Sequence, residues 1–405
     1  MMRIKGIPVV MYHGVGPAVP GWLWPHLFVR HDVFEGQMRI LRDRGWNAIT
    51  LNMLHAHMKD NVSLPENPFI LTFDDGYLNN WTYAFPLIRK YGHKAVVWMT
   101  TDFIDPSPIP RPTLDDVWNG DLSVEELENR GFLSICEMRK MEEDGAIEIQ
   151  SHAATHTWYF NGPRIIDFHR PSGVDGYNPP PWLSWNRMPD RKHEYMSARL
   201  EDRIPYGTPV YEHGKSLVTK KYFQDQSLDS KLADYVSENG SADFFNRNDW
   251  REQLSTIAGK SPRAADSYET DAEFAARVRS ELADSKRILE ESLGRRVDYL
   301  CWPGGGMNQG LFDLAGELGY LATTSLFQAE GRKNLYGEDP KEINRTGCGA
   351  PWHWKGRLIH RTDPGFFLNI LRLFNGETTA LWKLRAYKLK YVILSLLSPS
   401  GWGEI

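Results

Sequence analysis

Two short apolar segments that each end in polar side chains constrain the fold of this chain most. Residues 68–73 (Pro-Phe-Ile-Leu-Thr-Phe) and 146–150 (Ala-Ile-Glu-Ile-Gln) have the pattern of buried strands. Asp74 and Asp75 follow the first strand, and residues 151–156 (Ser-His-Ala-Ala-Thr-His) follow the second. Because α/β folds keep their chemistry where strands give way to loops, we expect both clusters at one end of a sheet.

The N-terminal part of the chain alternates strand and helix patterns. Residues 33–45 form an amphipathic pattern with Asp32 as a helix N-cap, and residues 46–50 lead into a strand. Residues 81–91 then predict a helix and residues 94–100 a strand. This alternation predicts a parallel barrel.

The residue types in the two clusters favour a metal hydrolase. Adjacent aspartates on an extended segment point to opposite faces, so Asp74 and Asp75 can take different roles. His152 and His156 with one carboxylate form an open ligand set for a divalent ion. Asp-Asp-Gly alone is more often a simple turn, and two histidines in a loop can simply cap or pack, so the hypothesis rests on their combination after two strands.

Four segments together resemble a known family. Residues 72–76 and 151–156 resemble the first two motifs of the polysaccharide deacetylases, the NodB-homology enzymes of carbohydrate esterase family 4. Residues 297–308 resemble a strand and Pro-Gly turn that form one wall of that family's groove. Residues 7–15 are similar to the first strand of the poly-N-acetylglucosamine deacetylase branch. The resemblance covers residues 5 to about 157 and roughly 270 to 347.

The resemblance implies a role for each polar residue of the two motifs. Asp75, His152 and His156 would hold the metal, and Asp74 would be the general base. The backbone N–H of Tyr77 would stabilise the oxyanion of the tetrahedral intermediate. The expected ion is zinc (Zn2+), with Co2+ or Ni2+ as alternatives.

The chain also departs from the family pattern. Residues 301–303 (Cys-Trp-Pro) lack the arginine that usually precedes the proline. Arg345 matches a late segment of the family branch, and we expect it to orient the base or the substrate. The general acid is left open: His360 is one candidate, and His353 is a weaker one.

Candidates for substrate binding lie at the ends of other predicted strands. They are His13, Trp302, Pro303 and Gly304. His13 could instead be tied to backbone at a strand end, and Trp302 is either a core residue or a platform for a sugar ring. For the glycines at 304–306 we favour a turn, although a glycine run also lets a substrate approach the backbone.

The expected fold is α/β, a distorted (β/α)7-type barrel with a large insertion that forms a cap and with a C-terminal helical extension. The insertion is rich in Pro, Gly, Tyr and Trp, and helices are predicted near residues 228–238 and 242–257. Its aromatic residues either bind sugars or form the core of the cap. The predicted parts are the first part of the barrel (1–157), the insertion (158–270), the rest of the barrel (271–362) and the extension (363–405).

Composition agrees with an enzyme and excludes one partner class. The 405 residues are 41% hydrophobic and 24% charged, which suffices for a large core. A formal net charge of -5 and the lack of a recognised reader motif argue against nucleic-acid binding.

The expected location is the cytoplasm, with peripheral contact at the inner membrane face. The chain begins without the apolar region of a signal peptide, and its three cysteines do not suggest a disulfide framework. From residue 363 two helices are predicted, and the second carries Trp, Tyr, Lys and Arg side chains. That helix would either lie on an anionic membrane or pack on the barrel with a solvated basic face.

We therefore expect a metal-dependent hydrolase that removes N-acetyl groups from an aminosugar in a bacterial glycan or a lipid-linked glycan precursor. One alternative is a deformylase or O-deacylase acting on a lipid-linked sugar with the same site. The other is a non-catalytic glycan-binding protein on the same fold.

Overall fold

The computed structural model describes most of the chain, namely residues 6–17, 24–261, 265–325, 333–349, 352–354, 357–359 and 362–397. The chain divides into two compact units. The first comprises Met1–Ala154, Asp284–Gly305 and Gln309–Ile405, and the second comprises Thr155–Ala283 and Gly306–Asn308.

A nine-stranded parallel sheet is the centre of the first unit. Its strands are β1 (Val9–Tyr12), β2 (Asn47–Ala48), β3 (Pro68–Phe73), β4 (Ala95–Met99), β5 (Ile147–Ser151), β6 (Tyr299–Leu300), β7 (Ala322–Thr324), β8 (Glu342–Ile343) and β9 (Thr346–Gly347). The spatial order is β8-β7-β6-β5-β4-β3-β1-β9, and β2 pairs with β3. Within the described residues no ladder joins β8 to β9, so the sheet is an incomplete barrel. The predicted α/β barrel class is confirmed.

The strands of the sheet centre are apolar along their whole length because both faces are covered. Every residue of β3 and β4 is buried, as is typical of parallel strands between helices. The bounds predicted for β3 are confirmed, and the strand predicted at residues 146–150 lies one residue later. Val9 pairs with Ile70 and Leu71 pairs with Ala95, which sets the ends of β1, β3 and β4 close together.

Side chains from one face of the sheet form a buried cluster with the second helix. Val9, Ile70 and Val96 contribute from the strands, and Leu51 and Leu54 contribute from the helix. The helices of this unit are His31–Asp43, Leu51–Asp60, Phe85–Lys90, Leu114–Asn119, Ile135–Asp144, Gln309–Glu317, Pro364–Phe374 and Thr379–Leu397. The helix Asp271–Leu293 begins in the second unit and ends in the first.

Two helix predictions need correction. The first helix begins at His31 with Arg30 as its N-cap, so Asp32 lies in the first turn and not at the cap. The helix predicted at residues 81–91 begins as a wider π turn over Asn80–Ala84 before the α-helix Phe85–Lys90. Pro86 has no N–H to donate to the preceding turn, which explains why regular α-helical bonding begins late.

The second unit has its own antiparallel pair and its own core. The strands Trp158–Phe168 and Pro209–Lys215 pair antiparallel, and so do Tyr222–Phe223 and Ser267–Tyr268. The helices that lie wholly within this unit are Trp182–Arg187, Gln226–Glu238 and Trp250–Lys260. Its buried cluster comprises Phe168, Leu228, Leu232, Val236, Phe244, Phe245, Trp250, Leu254 and Ala258.

The helix predicted near residues 228–238 is confirmed as Gln226–Glu238. The helix predicted at residues 242–257 is wrong as one element. It is a 3-10 turn, Ser241–Asn246, followed by the helix Trp250–Lys260. The polar run Asn-Arg-Asn-Asp at residues 246–249 separates the two, because such side chains compete for backbone hydrogen bonds.

The second unit starts near the predicted insertion boundary and runs further, to Ala283. The four-part division of the chain stays a prediction. Among the described residues, no helix is both long and apolar enough to cross a bilayer.

Candidate active site

Polar side chains from five strands of the first unit meet at the carboxyl end of the sheet. Parallel strands place these ends on one edge, so residues far apart in sequence become neighbours. The residues that follow the strands are His13 after β1, Asp74 and Asp75 after β3, His152 after β5, Cys301 after β6 and Arg345 after β8.

Asp74 lies in a buried environment with a cationic partner. The Arg345 guanidinium donates from Nη1 to Asp74 Oδ1 at 2.6 Å. The other carboxylate oxygen, Oδ2, lies 4.0 Å from His13 Nε2 and 3.9 Å from Cys301 Sγ. Burial would raise the pKa of Asp74, but Arg345, His13 and His152 together lower it below its usual value. Asp74 is therefore held as a carboxylate.

Asp75 and His152 face each other. His152 Nε2 lies 3.3 Å from Asp75 Oδ1, and both side chains are buried. The other ring nitrogen, Nδ1, lies 2.8 Å from the carbonyl oxygen of Cys301. Because a carbonyl can only accept, Nδ1 carries a hydrogen and Nε2 is directed to Asp75. Burial opposes the charged imidazolium, yet Cys301, Asp75 and Asp74 outweigh it and raise the pKa of His152 well above its usual value.

One carboxylate and two imidazoles are grouped in a way that suits a metal ion. Ligand atoms of Asp75, His152 and His156 lie within 4.8 Å of one another. A second group with the same spacing comprises Asp74, His152 and Cys301. A mixed nitrogen and oxygen set of three fits zinc with an open position, and cobalt or nickel accept the same ligands. The bond from His152 Nδ1 to a carbonyl is the orientation that metal-binding histidines usually have.

The backbone at both clusters adopts conformations that side chains seldom tolerate. Asp75 has φ 73°, Ala153 has φ 58° and His156 has φ 43°. Such left-handed residues persist only where the surroundings enforce them, and they concentrate at functional sites. Gly76 follows with φ 78°, and a Cβ there would lie 2.1 Å from Met99 Sδ. The turn after Asp75 therefore requires glycine.

Neighbouring peptides fix the loop that begins at His152. The His152 N–H donates to Met99 O at 2.9 Å, and the Asp102 N–H donates to Ala154 O at 3.0 Å. Ser151 Oγ lies 2.8 Å from Ser285 Oγ and accepts from the Tyr320 hydroxyl at 3.1 Å. These bonds tie the end of β5 to helix Asp271–Leu293 and to the segment before β7.

The peptide of Tyr77 is held on both sides. The Leu133 N–H donates to Gly76 O at 2.9 Å, and the Leu78 N–H donates to Gly131 O at 2.9 Å. The Tyr77 ring packs against Phe28 and Phe132. The predicted use of the Tyr77 amide as an oxyanion donor stays a prediction.

The four candidates for substrate binding differ in burial and in their neighbours. Trp302 is only 1% exposed, its Nε1 donates to Thr323 Oγ1 at 3.1 Å, and its ring meets Phe312 edge-on. A side chain so enclosed cannot serve as a platform for a sugar ring, so the prediction that Trp302 binds substrate through its ring is wrong. Pro303 is also buried, whereas Gly304 is exposed with φ 54°, as the turn interpretation requires. His13 is beside Asp74, which favours a site role over a purely structural one.

The structure does not show which residue, His360 or His353, would act as the general acid. His360 lies outside the described residues. His353 lies in the short strand Trp352–Trp354, which pairs with Arg357–Ile359. The identity of the acid therefore stays open.

Several supporting residues carry no signal in the sequence. In the second unit, Glu281 Oε1 accepts from Thr155 Oγ1 at 2.5 Å, and Lys192 Nζ donates to Thr155 O at 3.1 Å. Burial raises the pKa of Glu281, although Thr155 and Arg277 oppose that shift. Glu281 and Lys192 thus hold Thr155, whose peptide precedes His156. Their types and spacing resemble any surface helix or loop, and only the fold brings them together.

Comparison with known proteins agrees with the motifs. Residues 61–180 match the family model described as polysaccharide deacetylase. A Bacillus subtilis (strain 168) protein, YxkH, whose name assigns it to the polysaccharide deacetylases, is 31% identical over 93 residues, covering 23% of this chain and 31% of YxkH.

A second relative is the poly-beta-1,6-N-acetyl-D-glucosamine N-deacetylase of Escherichia coli (strain K12). It is 26% identical over 130 residues, covering 32% of this chain and 18% of the relative. The chain thus spans less than a third of the length of either curated relative. A solved de-N-acetylase from Aggregatibacter actinomycetemcomitans has a TM-score of 0.49 at 16% identity, covering 84% of this chain and 94% of that one.

Proposed function

We propose, from the match of residues 61–180 to the polysaccharide deacetylase family model, that this chain is a metal-dependent hydrolase that removes N-acetyl groups from an aminosugar. The observation that carries the proposal is the grouping of Asp75, His152 and His156 beside the Asp74–Arg345 pair. The proposed substrate is a bacterial glycan or its lipid-linked precursor. The name of the Escherichia coli relative supports an N-acetylglucosamine polymer.

Asp75, His152 and His156 are the residues that we propose as metal ligands, with zinc as the expected ion. A bound divalent ion supplies Lewis acidity, which polarises a carbonyl and makes water a better nucleophile at neutral pH. The hydrogen bond from His152 Nδ1 to Cys301 O fixes the ring, so that Nε2 would be the atom available to hold the ion. The left-handed backbone of Asp75 sets the direction of its carboxylate relative to Asp74.

We propose that Asp74 accepts the proton of the attacking water. Arg345 occupies Oδ1 at 2.6 Å, which orients the carboxylate and leaves Oδ2 as the proton acceptor. His13, at 4.0 Å from Oδ2, would contact the substrate on this side. The amide of Tyr77 would donate to the oxyanion that develops from the acetamide oxygen.

The test is acetate release by metal-stripped protein, before and after adding zinc. The acceptors are N-acetylglucosamine oligomers of β-1,6 and β-1,4 linkage and lipid-linked N-acetyl sugars, with formate measured in parallel. His152→Ala should abolish release, whereas the matched control His55→Ala, a histidine of helix Leu51–Asp60, should not.

Each other outcome assigns a different function. Zinc-dependent release of formate without acetate would show that the protein is a deformylase and not a deacetylase. Release of a longer O-linked acyl group would identify an O-deacylase. Saturable binding of an oligomer with no release of any acid would support the non-catalytic glycan-binding alternative.

We also propose that the last helix, Thr379–Leu397, contacts a membrane; this proposal does not depend on the residues of the active site. The compartment predicted from the sequence likewise stays a prediction.

A further inference from the structure

Among the described residues, the helix Thr379–Leu397, here called the C-terminal helix, packs against its own unit through one face. Ala380, Leu384 and Tyr391 are buried on that face. Leu384 and Tyr391 form a cluster with Phe366 of the preceding helix, Pro364–Phe374. The Tyr391 hydroxyl accepts from the Asp363 N–H at 2.9 Å, which anchors the C-terminal helix to the start of that neighbour.

The opposite face of the C-terminal helix exposes large apolar side chains. Trp382 is 69% exposed, Leu389 61%, Ile393 45% and Leu396 65%. Their spacings of seven, four and three residues bring them within about 40° of one line along a helix that turns 100° per residue. They form a continuous apolar stripe, here called the outer stripe. A helix that is apolar on two opposite faces needs a second apolar surface for the face that its own unit leaves exposed.

Basic residues border the outer stripe on both sides. The same helical geometry places Arg385 and Lys388 along one edge and Lys383 and Lys390 along the other. Residues 378–397 contain no aspartate or glutamate, although the chain as a whole has a formal net charge of -5. The local charge of the C-terminal helix is therefore opposite to that of the protein.

A groove beside the C-terminal helix extends this positive surface. It has a volume of about 860 Å³ and lies between the C-terminal helix and the helices His31–Asp43 and Pro364–Phe374. Arg39, Arg44 and Arg372 line it together with Lys383 and Lys390. Two acids, Asp43 and Asp363, also line it; Asp43 accepts from Arg42, and Asp363 lies 3.5 Å from Lys390. Basic side chains outnumber acidic ones in the groove.

We infer that the outer stripe docks on the surface of an anionic lipid bilayer. The C-terminal helix lies parallel to the membrane, with Trp382, Leu389, Ile393 and Leu396 at the boundary between headgroups and acyl chains. The long stems of the bordering Lys and Arg residues lie along the apolar surface and carry their charges to lipid phosphates. Charge complementarity selects a bilayer over a protein partner, because protein interfaces are depleted of lysine whereas anionic leaflets attract it.

The experiment is co-sedimentation of the full chain with vesicles of phosphatidylcholine alone or of phosphatidylcholine with phosphatidylglycerol at three to one. We expect at least tenfold tighter binding to the anionic vesicles, and weaker binding as salt is raised. The double variant Trp382→Ser with Leu389→Ser should lose at least tenfold in vesicle affinity. The matched control is Ile109→Ser, which alters a 71% exposed apolar side chain elsewhere in the first unit.

A second pair of substitutions separates charge from apolar contact. Arg385→Gln with Lys388→Gln should remove most of the preference for anionic vesicles and leave the helical circular dichroism signal unchanged. Acetate release from soluble oligomers is followed in every variant. It should not change, because none of these residues belongs to the proposed active site.

Three results would overturn the inference: no binding to either vesicle, equal binding to both, or unchanged binding by the Trp382 and Leu389 double variant. Concentration-dependent self-association that requires the outer stripe, without vesicle binding, would show that a second copy of the chain covers it instead. Vesicle binding is measured without substrate, so failure of the deacetylase proposal would not affect this test.

Discussion

At the scale of single residues, neighbouring aspartates with similar intrinsic chemistry have different partners. Asp74 is paired with Arg345 at 2.6 Å, and Asp75 faces His152 at 3.3 Å. The left-handed backbone of Asp75 turns the chain between them. This difference in surroundings is the basis for assigning proton transfer to Asp74 and metal binding to Asp75.

The two aspartates should therefore give opposite results when each is changed to asparagine. We expect Asp74→Asn to retain zinc and to lose about two to four orders of magnitude in kcat, as for removal of a general base. Asp75→Asn should lose zinc and activity together. Zinc content measured by mass spectrometry of the purified proteins, alongside acetate release, separates these outcomes.

Because Asp74→Asn leaves the buried Arg345 without its carboxylate, its circular dichroism spectrum must be compared with that of the unchanged protein. Normal turnover by a folded Asp74→Asn protein would remove Asp74 from the role of base.

The sequence indicates where the motif residues lie because they follow apolar strands that are easy to recognise. It cannot predict Cys301, Glu281 or Lys192 as supporting residues. Cys301 supplies a carbonyl to His152 and a thiol near Asp74, and both contacts depend on β6 lying beside β5. The burial of Trp302 also depends on the residues that pack around it, here Thr323 and Phe312.

At the scale of elements, the turn after β3 shows how backbone conformation positions the site. Gly76 has φ 78° and lies against the Met99 side chain, which comes from the end of β4. Gly92, in the turn after helix Phe85–Lys90, has a similar φ of 69°, but a Cβ at Gly92 would meet no atom within 4 Å. The two glycines thus have similar φ angles but differ in the space available to a Cβ.

Replacing each glycine by alanine should separate backbone strain from steric overlap. Gly92→Ala should cost about 1–2 kcal/mol of unfolding free energy, the penalty of a left-handed conformation. Gly76→Ala adds an overlap with Met99 Sδ and should cost clearly more, with loss of zinc affinity because the turn carries Asp75. Urea denaturation with zinc titration measures both effects. Equal costs for the two variants would mean that the close approach to Met99 is relieved without strain.

Element types were predictable where periodicity is strong, whereas the boundaries of several helices were not. The strand β3 and the helix Gln226–Glu238 agree with the sequence pattern because each presents a continuous or periodic apolar face. The π turn at Asn80–Ala84 depends on a missing donor at Pro86, and the long pair Trp158–Phe168 with Pro209–Lys215 depends on pairing across some forty residues. Local pattern does not encode such long-range pairing.

At the scale of the whole molecule, one buried carboxylate should make stability depend on pH. Asp229 of helix Gln226–Glu238 is buried, and the Tyr211 hydroxyl donates to its Oδ1 at 2.8 Å. Burial raises the pKa of Asp229 to about 6, although Tyr211 and Arg187 oppose the shift.

A carboxyl whose pKa is higher in the folded protein favours folding at low pH. As pH rises from about 4 to about 6, the unfolded chain releases this proton while the folded protein still holds it. The free energy of unfolding therefore falls by up to about 3 kcal/mol over this range. Asp229→Asn, which keeps an acceptor for Tyr211, should remove this loss. Denaturant titrations at pH 4, 5, 6 and 7 compare the two proteins, and a constant difference in unfolding free energy across this range would contradict the assignment.

We propose that a single metal site made by Asp75, His152 and His156 is required for acetate release. The most direct measurement is to titrate zinc into metal-stripped protein while following bound zinc and acetate release in the same samples. We predict that both rise together and saturate at one zinc per chain, and that His156→Ala shows neither. Acetate release at full rate before zinc is added, or tight binding of one zinc with no acetate from any acceptor, would contradict a metal-dependent deacetylase.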